Sequence, residues 1–146
     1  MSARSYPLPL SPVRASLDRA VAENAVLSLG PEAKASRNML EDGYVAPDVL
    51  AGMTLLLLAG QPRRAEPNGG RNPSGEGRGI AGSIWVRERF TVHRPARVGE
   101  EIEVTGAVQR AYSKRGRRYT VTLSETRDRG GVLLASNRTT GLARFR

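Results

Sequence analysis

The sequence has 146 residues, which is enough for one domain that buries a substantial core without cross-links. It contains no cysteine, so disulfide bonds and thiolate chemistry are excluded. Its first residues lack both the continuous apolar stretch and the small-residue cleavage site of a signal peptide, so we expect a cytoplasmic protein.

The formal net charge is +9 and the pI is about 11.1, values that raise nucleic-acid binding as a hypothesis. All basic residues except Lys34 and Lys114 are Arg, in a chain that is also rich in Ala, Gly and Pro, and a coding bias can produce this composition. The arginines are scattered through alternating segments, where a solvated outer face explains them. We therefore expect neither nucleic acid nor membrane as a partner, whereas a positive surface favours an acidic carrier protein or the phosphates of a coenzyme.

Two helices are predicted in the first part of the chain. The first begins at Ser11 as N-cap with Pro12 in the first helical position and continues through Glu23. Its apolar residues share one face: Val13, Leu17, Ala20, Val21 and Ala25. A second short helix is predicted at residues 31–37, before a turn at residues 41–43.

Residues 44–60 are the most informative stretch, because a turn signal opens an uninterrupted apolar helix from Pro47 to Gly60. A helix that is apolar on every face must be surrounded by protein. It is too short to span a bilayer.

Residues 61–79 are dense in Gly and Pro and should form a mobile loop, either a functional lid or a tolerated insertion. The Gly-rich part, residues 69–79, lacks the Gly-Lys-Ser/Thr ending of a phosphate loop, so no nucleotide site is expected there.

From residue 80 onward the apolar period changes from helical to two. Strands are predicted at residues 84–92, 101–112, 117–127 and 132–145, with turns at 113–116 and 128–131 that join the last three into an antiparallel meander. Glu88 interrupts the apolar row of the first strand and must either find a partner or turn outward through a bulge. The predicted fold class is α+β, a single domain with an antiparallel sheet curled around the long central helix.

Three stretches resemble the hot-dog fold and, within it, the MaoC-like hydratases and dehydratases, including the dehydratase domain related to type I fatty acid synthase. Residues 46–53, Ala-Pro-Asp-Val-Leu-Ala-Gly-Met, look like the entry to the family's central helix. Residues 90–100, Phe-Thr-Val-His-Arg-Pro-Ala-Arg-Val-Gly-Glu, are similar to its aromatic-x-x-x-Arg-Pro-x-Arg-x-Gly-Asp strand exit and are the most specific. Residues 115–123 and 128–135 look like its last hairpin.

This resemblance implies a dimer with tunnels for acyl thioesters of an acyl carrier protein or coenzyme A, as a homodimer or as a heteromer with another hot-dog subunit. In active members an Asp and His pair moves the substrate protons, and the central-helix N-terminus supplies a backbone donor for the thioester oxygen. The chain departs from that pattern, since Ala22 and Leu27 replace the Asp and the His, and Ala51 stands where a second His often occurs.

The remaining catalytic candidates are Asp48, Glu23 and His93. Two of them also have a structural explanation, since Asp48 stabilises a helix N-terminus and His93 falls on the same side of its strand as the outward-facing Arg87 and Arg89. Glu23 lies one residue from the lost Asp and requires a shifted register to act as a base. The expected substrate-binding residues are Asn24, Tyr44, Ala51, Gly52 and Met53. No metal and no cofactor are expected.

The preferred hypothesis is a dehydratase or hydratase of 3-hydroxyacyl or polyketide-like thioesters with non-standard catalytic residues. The alternatives are a non-catalytic subunit that pairs with an active hot-dog partner and a hot-dog thioesterase, and nucleic-acid binding ranks after them.

Overall fold

The computed structural model describes residues 5–59 and 84–142, so the loop predicted at residues 61–79 lies outside the described residues. Three helices and six strands follow one another in the described parts of the chain: β1 (Leu8–Pro9), β2 (Val13–Ser16), α1 (Arg19–Ser28), α2 (Lys34–Glu41), α3 (Pro47–Ala59), β3 (Ile84–Val92), β4 (Glu101–Lys114), β5 (Arg117–Asp128) and β6 (Leu133–Leu142). None of the helices in the described residues is long and apolar enough to cross a bilayer.

The predicted helix start at Ser11 is wrong, because β2 occupies residues that were assigned to the first helical turns. β2 pairs antiparallel with β4, and its side chains alternate between half-buried and exposed. Helix α1 starts only at Arg19, where the Asp18 side chain accepts a hydrogen bond of 2.9 Å from the Val21 backbone N–H. Asp18 is therefore the N-cap. The Ser11-Pro12 pair has the residue types of a helix start but precedes a strand.

The second predicted helix exists but begins later than expected. Gly30 has a φ of 84° and turns the chain after α1, so α2 starts at Lys34 rather than at Pro31. The turn predicted after it is present, with Gly43 at a φ of 83°. Such positive φ values suit glycine because it has no Cβ.

The sheet contains the predicted meander. Its strand order is β1-β4-β5-β6-β3, with β2 also paired to β4, and the strand pairs are antiparallel. Arg115 and Gly116 both have positive φ and form a two-residue turn closed by the Lys114 and Arg117 pair. This geometry matches the right-handed twist of the flanking strands.

Helix α3 packs on the sheet and forms the centre of the core, as predicted. Leu50 and Leu57 are completely or almost completely buried and contact a cluster that includes Ile102 and Val104 of β4. Gly106 permits this approach, because a Cβ at that position would lie only 2.9 Å from Cδ2 of Leu57 and 2.7 Å from the Leu123 carbonyl oxygen.

One side of α3 is not covered by residues 5–59 and 84–142. Asp48, Gly52 and Leu56 follow each other at intervals of four residues and therefore share this side. Asp48 is exposed, Leu56 is 49% exposed, and a Cβ at Gly52 would meet no atom within 4 Å. We call these three residues the open face of α3.

Register divides the sheet into an inner face towards α3 and an outer face. Gly106 contacts Leu57 of α3 and pairs with Ser124, which places Ser124 on the inner face. The inner positions of β5 and β6 include small polar residues that are buried: Thr122, Ser124, Thr126, Asn137 and Thr139. The apolar residues of the predicted β5 alternation, Tyr119, Val121 and Leu123, lie on the outer face.

The most family-specific motif forms an ion-pair clamp at one end of the sheet. Nη2 of Arg94 donates to the carboxylates of Glu100 and Asp128, the latter at 2.8 Å, and Oδ1 of Asp128 accepts from the Val132 backbone N–H at 2.8 Å. The hydrogen bond from Val132, followed by the bond from Arg94, holds the pKa of Asp128 below its ordinary value. Glu100 is the main cause of a raised pKa of Arg94.

Asp128→Asn should lower the free energy of unfolding near neutral pH, because the neutral amide loses the ionic bond to Arg94. Because the pKa of Asp128 is lowered in the folded state, the unfolded chain binds the Asp128 proton more tightly than the folded chain does. The stabilisation of the fold by ionised Asp128 is therefore fully present above an ordinary Asp pKa of about 3.9, and it is lost as the pH falls through the folded pKa. Urea titrations of wild type, Asp128→Asn and the exposed control Asp42→Asn measure it. A wild-type advantage over Asp128→Asn that grows towards acid pH would contradict the assignment.

Candidate functional site

A buried amide joins a carboxylate to the central helix. Nδ2 of Asn137 in β6 donates to Oε1 of Glu88 in β3 at 2.6 Å and to Oγ1 of Thr54 in α3 at 3.3 Å. Asn137 and Thr54 are buried, whereas Glu88 stays accessible to solvent. Together with Thr139, which register places directly opposite Glu88, these residues form what we call the Glu88 cluster.

Strand alternation places Glu88 on the inner face together with Phe90 and Val92, which lie opposite Asn137 and Ala135 of β6. The register of β3 against β6 shifts between Trp85 and Arg87, so Trp85 and Glu88 both lie opposite inner-face positions of β6. Ile84 and Val86 are left exposed as a result. Of the two alternatives considered for Glu88, the structure shows the first: the carboxylate has a buried partner, Asn137, and the bulge precedes Glu88 and does not turn it outward.

Two atoms of the cluster have no hydrogen-bond partner among the described residues. These buried atoms are Oδ1 of Asn137 and Oγ1 of Thr139. The bond to Glu88 fixes the orientation of the Asn137 amide, because a flipped amide would place its oxygen against a carboxylate. Each buried polar group without a partner costs about 1 to 3 kcal/mol, and a donor that reached Oδ1 of Asn137 would relieve part of that cost.

The arrangement can move a proton. Glu88 is reachable from solvent, and the bond from Asn137 holds its carboxylate in a defined position beside α3. A carboxylate positioned in this way can act as a general base and, once protonated, as a general acid. The Thr54 hydroxyl and the free oxygen of Asn137 supply neighbouring groups that can orient a substrate hydroxyl.

The three predicted catalytic residues are not brought together. Asp48 is exposed in the first turn of α3, and Glu23 is exposed on α1 in an ion pair of 2.7 Å with Arg19. Nε2 of His93 lies 2.9 Å from Oγ of Ser136, a residue that register places on the outer face. His93 therefore lies on the opposite side of the sheet from α3.

The predicted binding residues differ in their accessibility. Asn24 is exposed on α1, Ala51 and Gly52 are partly accessible on α3, and Met53 belongs to the core. Tyr44 precedes α3, and the guanidinium of Arg97 lies 5.5 Å from its ring centre. This contact joins the strand-exit motif to the start of α3.

Ala22 and Leu27, which replace the usual Asp and His, also differ in their exposure to solvent. Ala22 is 1% exposed and belongs to the core, whereas Leu27 is 76% exposed. A large apolar side chain with that exposure has little contact with the rest of its own chain, and neither residue has a group that can transfer a proton.

Sequence reasoning missed Thr54, Asn137 and Thr139 as parts of a site. A signal was present, because polar residues alternate through a strand that covers an apolar helix, as in Thr122, Ser124 and Thr126. Glu88 and this polar row together would have indicated a polar patch on the inner face.

No protein-family model matches the chain, and no curated protein matches its sequence. Solved structures do resemble it. A MaoC-like dehydratase from Rhodospirillum rubrum has 16% identity and a TM-score of 0.68 over 98% of this chain and 94% of that one. The HadBC (3R)-hydroxyacyl-ACP dehydratase complex of Mycobacterium tuberculosis has 12% identity and a TM-score of 0.71, over 98% and 100% of the two chains. The (R)-hydratase of A. caviae involved in PHA biosynthesis has 18% identity and a TM-score of 0.64, over 99% and 100%.

The likeness spans nearly the whole of each chain, and at these identities it establishes the fold. The protein is an α+β hot-dog protein, with an antiparallel six-stranded sheet around a central helix, as the resemblance of its motifs predicted.

Proposed function

We propose that this protein is a hydratase or dehydratase of 3-hydroxyacyl or polyketide-like thioesters in which Glu88 replaces the missing Asp and His pair. The observation that carries the proposal is the Glu88 cluster, a solvent-accessible carboxylate held by a buried amide beside the central helix. The known activities of the similar dehydratases and hydratase agree with it in reaction class.

The cluster can perform the reaction with one carboxylate. In dehydration, Glu88 takes the proton from C2 of the thioester, and the electron pair of that C–H bond forms the C2–C3 double bond as the C3–O bond breaks. The protonated Glu88 then gives its proton to the leaving hydroxyl, so water leaves and the carboxylate is restored. Hydration is the reverse.

The other groups of the site orient the substrate in this proposal. The free Oδ1 of Asn137 accepts a hydrogen bond from the C3 hydroxyl, and Thr54 fixes the amide through its hydroxyl. The N-terminus of α3, with its positive dipole end, stabilises charge on the thioester oxygen. The acyl chain lies along Ala51 and Gly52 on the accessible part of α3, and Asn24 and Tyr44 contact the entering substrate.

The purified chain tests the proposal in an assay of 3-hydroxyacyl and 2-enoyl thioesters of coenzyme A and of an acyl carrier protein. We expect the reversible formation of the C2–C3 double bond without release of thiol. The ultraviolet absorbance of the double bond measures the reaction. Release of free thiol would favour a thioesterase instead. Asp48→Asn and Glu23→Gln test the other two carboxylates in the same assay.

A partner chain completes the structure in this proposal. Within the described residues β3 pairs only with β6, so its other edge is unpaired, and Ile84, Val86 and Val92 are exposed on it. Exposed apolar edge strands are templates for pairing with another chain. A second copy, or another hot-dog subunit, that pairs with this edge also covers the open face of α3 and encloses the acyl group.

Leu56→Asp should prevent this association without unfolding the chain, because Leu56 is already 49% exposed. A charge at this apolar position, two turns from Asp48, would have to be desolvated at the interface, at a cost of several kcal/mol. Sedimentation of the wild-type chain should give the mass of a dimer and that of Leu56→Asp the mass of a monomer. Leu123→Asp, at a position that is 40% exposed on the outer face, is the control and should remain dimeric.

The second candidate is a non-catalytic subunit that pairs with an active hot-dog chain. The replacement of the usual Asp and His by Ala22 and Leu27 favours it, and the HadBC dehydratase is a complex. Co-purification with a second hot-dog chain, together with no turnover by the isolated protein, would support this candidate over the first.

A further inference from the structure

Four arginines surround a concave area on the outer face of the sheet. Arg87 and Arg89 come from β3, Arg138 from β6 and Arg110 from β4, and they line a cavity of about 260 Å³. Three uncharged residues complete the lining: Tyr112, Val121 and Thr140. We call this site the arginine cluster, and it lies on the opposite side of the sheet from the Glu88 cluster.

The register forces the positive charges close together. Arg89 is directly opposite Arg138 in the β3 and β6 pair, and Arg87 lies opposite Thr140 in the next row of the outer face. Directly opposed like charges destabilise a sheet. The arrangement therefore costs folding energy in the absence of a negative partner.

No carboxylate of the described residues neutralises this cluster. The lining contains no Asp or Glu, and none of the four guanidinium groups forms an ion pair within residues 5–59 and 84–142. Glu125 is the nearest acidic residue on this face by register, one row beyond Arg138, and it bonds to Arg127 at 2.7 Å. Other arginines of the same chain do pair with carboxylates: Arg14, Arg19, Arg94, Arg127 and Arg129.

The sheet holds the backbone of the site, and a tyrosine ring contacts one of its guanidinium groups. All four arginines stand on strands within the continuous sheet, and the Arg110 guanidinium lies 5.3 Å from the ring centre of Tyr112. Tyr112 in turn stacks on Tyr119 with ring centres 5.1 Å apart. Arg110 therefore loses less conformational entropy when it binds an anion than an unrestrained side chain would.

We infer that the arginine cluster binds a small molecule that carries two or more linked phosphate groups. Planar guanidinium groups make paired hydrogen bonds to phosphate oxygens, and several of them match the repeated charge of a di- or triphosphate. The cavity has a volume of about 260 Å³. This size suits a few phosphate groups and is too small for a protein segment. The site is separate from the proposed thioester reaction and does not depend on it.

Titration calorimetry with inorganic tripolyphosphate tests this inference at fixed ionic strength. The wild-type protein should bind one tripolyphosphate per chain in a saturable manner, and Arg89→Gln/Arg138→Gln should weaken binding by about tenfold or more. The control Arg14→Gln/Arg129→Gln removes the same charge at exposed positions outside this cavity and should bind as wild type does. Without ligand, Arg89→Gln/Arg138→Gln should unfold at the same temperature as wild type or a higher one, because a like-charge contact is removed.

Three results would overturn the inference. The first is the absence of saturable binding by wild type, and the second is equal weakening in the control variant, which would indicate a general effect of net charge. The third is a single-stranded oligonucleotide that binds more tightly than tripolyphosphate and gains affinity with length, because the outer face would then be a nucleic-acid surface.

Discussion

Glu88→Gln is expected to reduce turnover of 3-hydroxyacyl thioesters by about a hundredfold or more, the usual range when a general base is removed. Glutamine cannot take the C2 proton. Its side-chain oxygen can still accept the hydrogen bond from Nδ2 of Asn137, so the cluster should keep its structure. Steady-state kinetics should show the loss in kcat, with little change in KM, because the substituted group acts on the reacting carbon and not in binding.

The control for this variant is Glu125→Gln, which changes the same group on the outer face, where Glu125 bonds to Arg127. It should retain wild-type turnover. If Glu88→Gln is fully active and Asp48→Asn or Glu23→Gln is inactive, the carboxylate assigned here is the wrong one, although the reaction class would stand.

Gly106→Ala should destabilise the fold by about 3 kcal/mol, the upper part of the usual range for overpacking. The added Cβ would lie 2.7 Å from the Leu123 carbonyl oxygen and 2.9 Å from Cδ2 of Leu57, which is completely buried. Backbone on one side and the core of α3 on the other leave little room for relaxation. The free energy of unfolding, measured by urea denaturation, should fall accordingly.

Gly52→Ala is the matched control for stability, because a Cβ at Gly52 would meet no atom within 4 Å. Alanine in place of glycine inside a helix should raise the free energy of unfolding by about 0.5 to 1 kcal/mol. Opposite signs for the two substitutions are therefore expected. Equal destabilisation by both would show that α3 does not approach the sheet at Gly106 in the way described.

The main features of the fold could be predicted from local patterns. The apolar residues 47–59 predicted a helix on which the sheet packs. The turns at Arg115-Gly116 and at Asp128–Gly131 predicted that the later strands form a meander. These signals lie within short stretches of sequence. The first strands were missed because Ser11-Pro12 has the residue types of a helix start, while the competing signal, the pairing of β2 with β4, depends on residues about 90 positions away.

The site could be predicted only in part, for a similar reason. Glu88 stood out as a carboxylate in an apolar row, but its partner Asn137 is 49 residues away and Thr54 is 83 residues from Asn137. Nothing local to any of the three residues indicates that they meet. The bulge near Trp85, which places Trp85 on the same face of the sheet as Glu88, is likewise a property of the pairing with β6.

The side-chain amide of Asn137 gives the most direct test of the central claim, that an acyl thioester binds at the Glu88 cluster beside α3. Its two proton signals can be followed by nitrogen-15 NMR in the uniformly labelled protein, with assignment by their loss in Asn137→Ser. Addition of a 3-hydroxyacyl thioester of N-acetylcysteamine should shift both signals to saturation, because the substrate hydroxyl bonds to Oδ1 of that amide. Saturable binding of the thioester that leaves the Asn137 signals unchanged would contradict the claim.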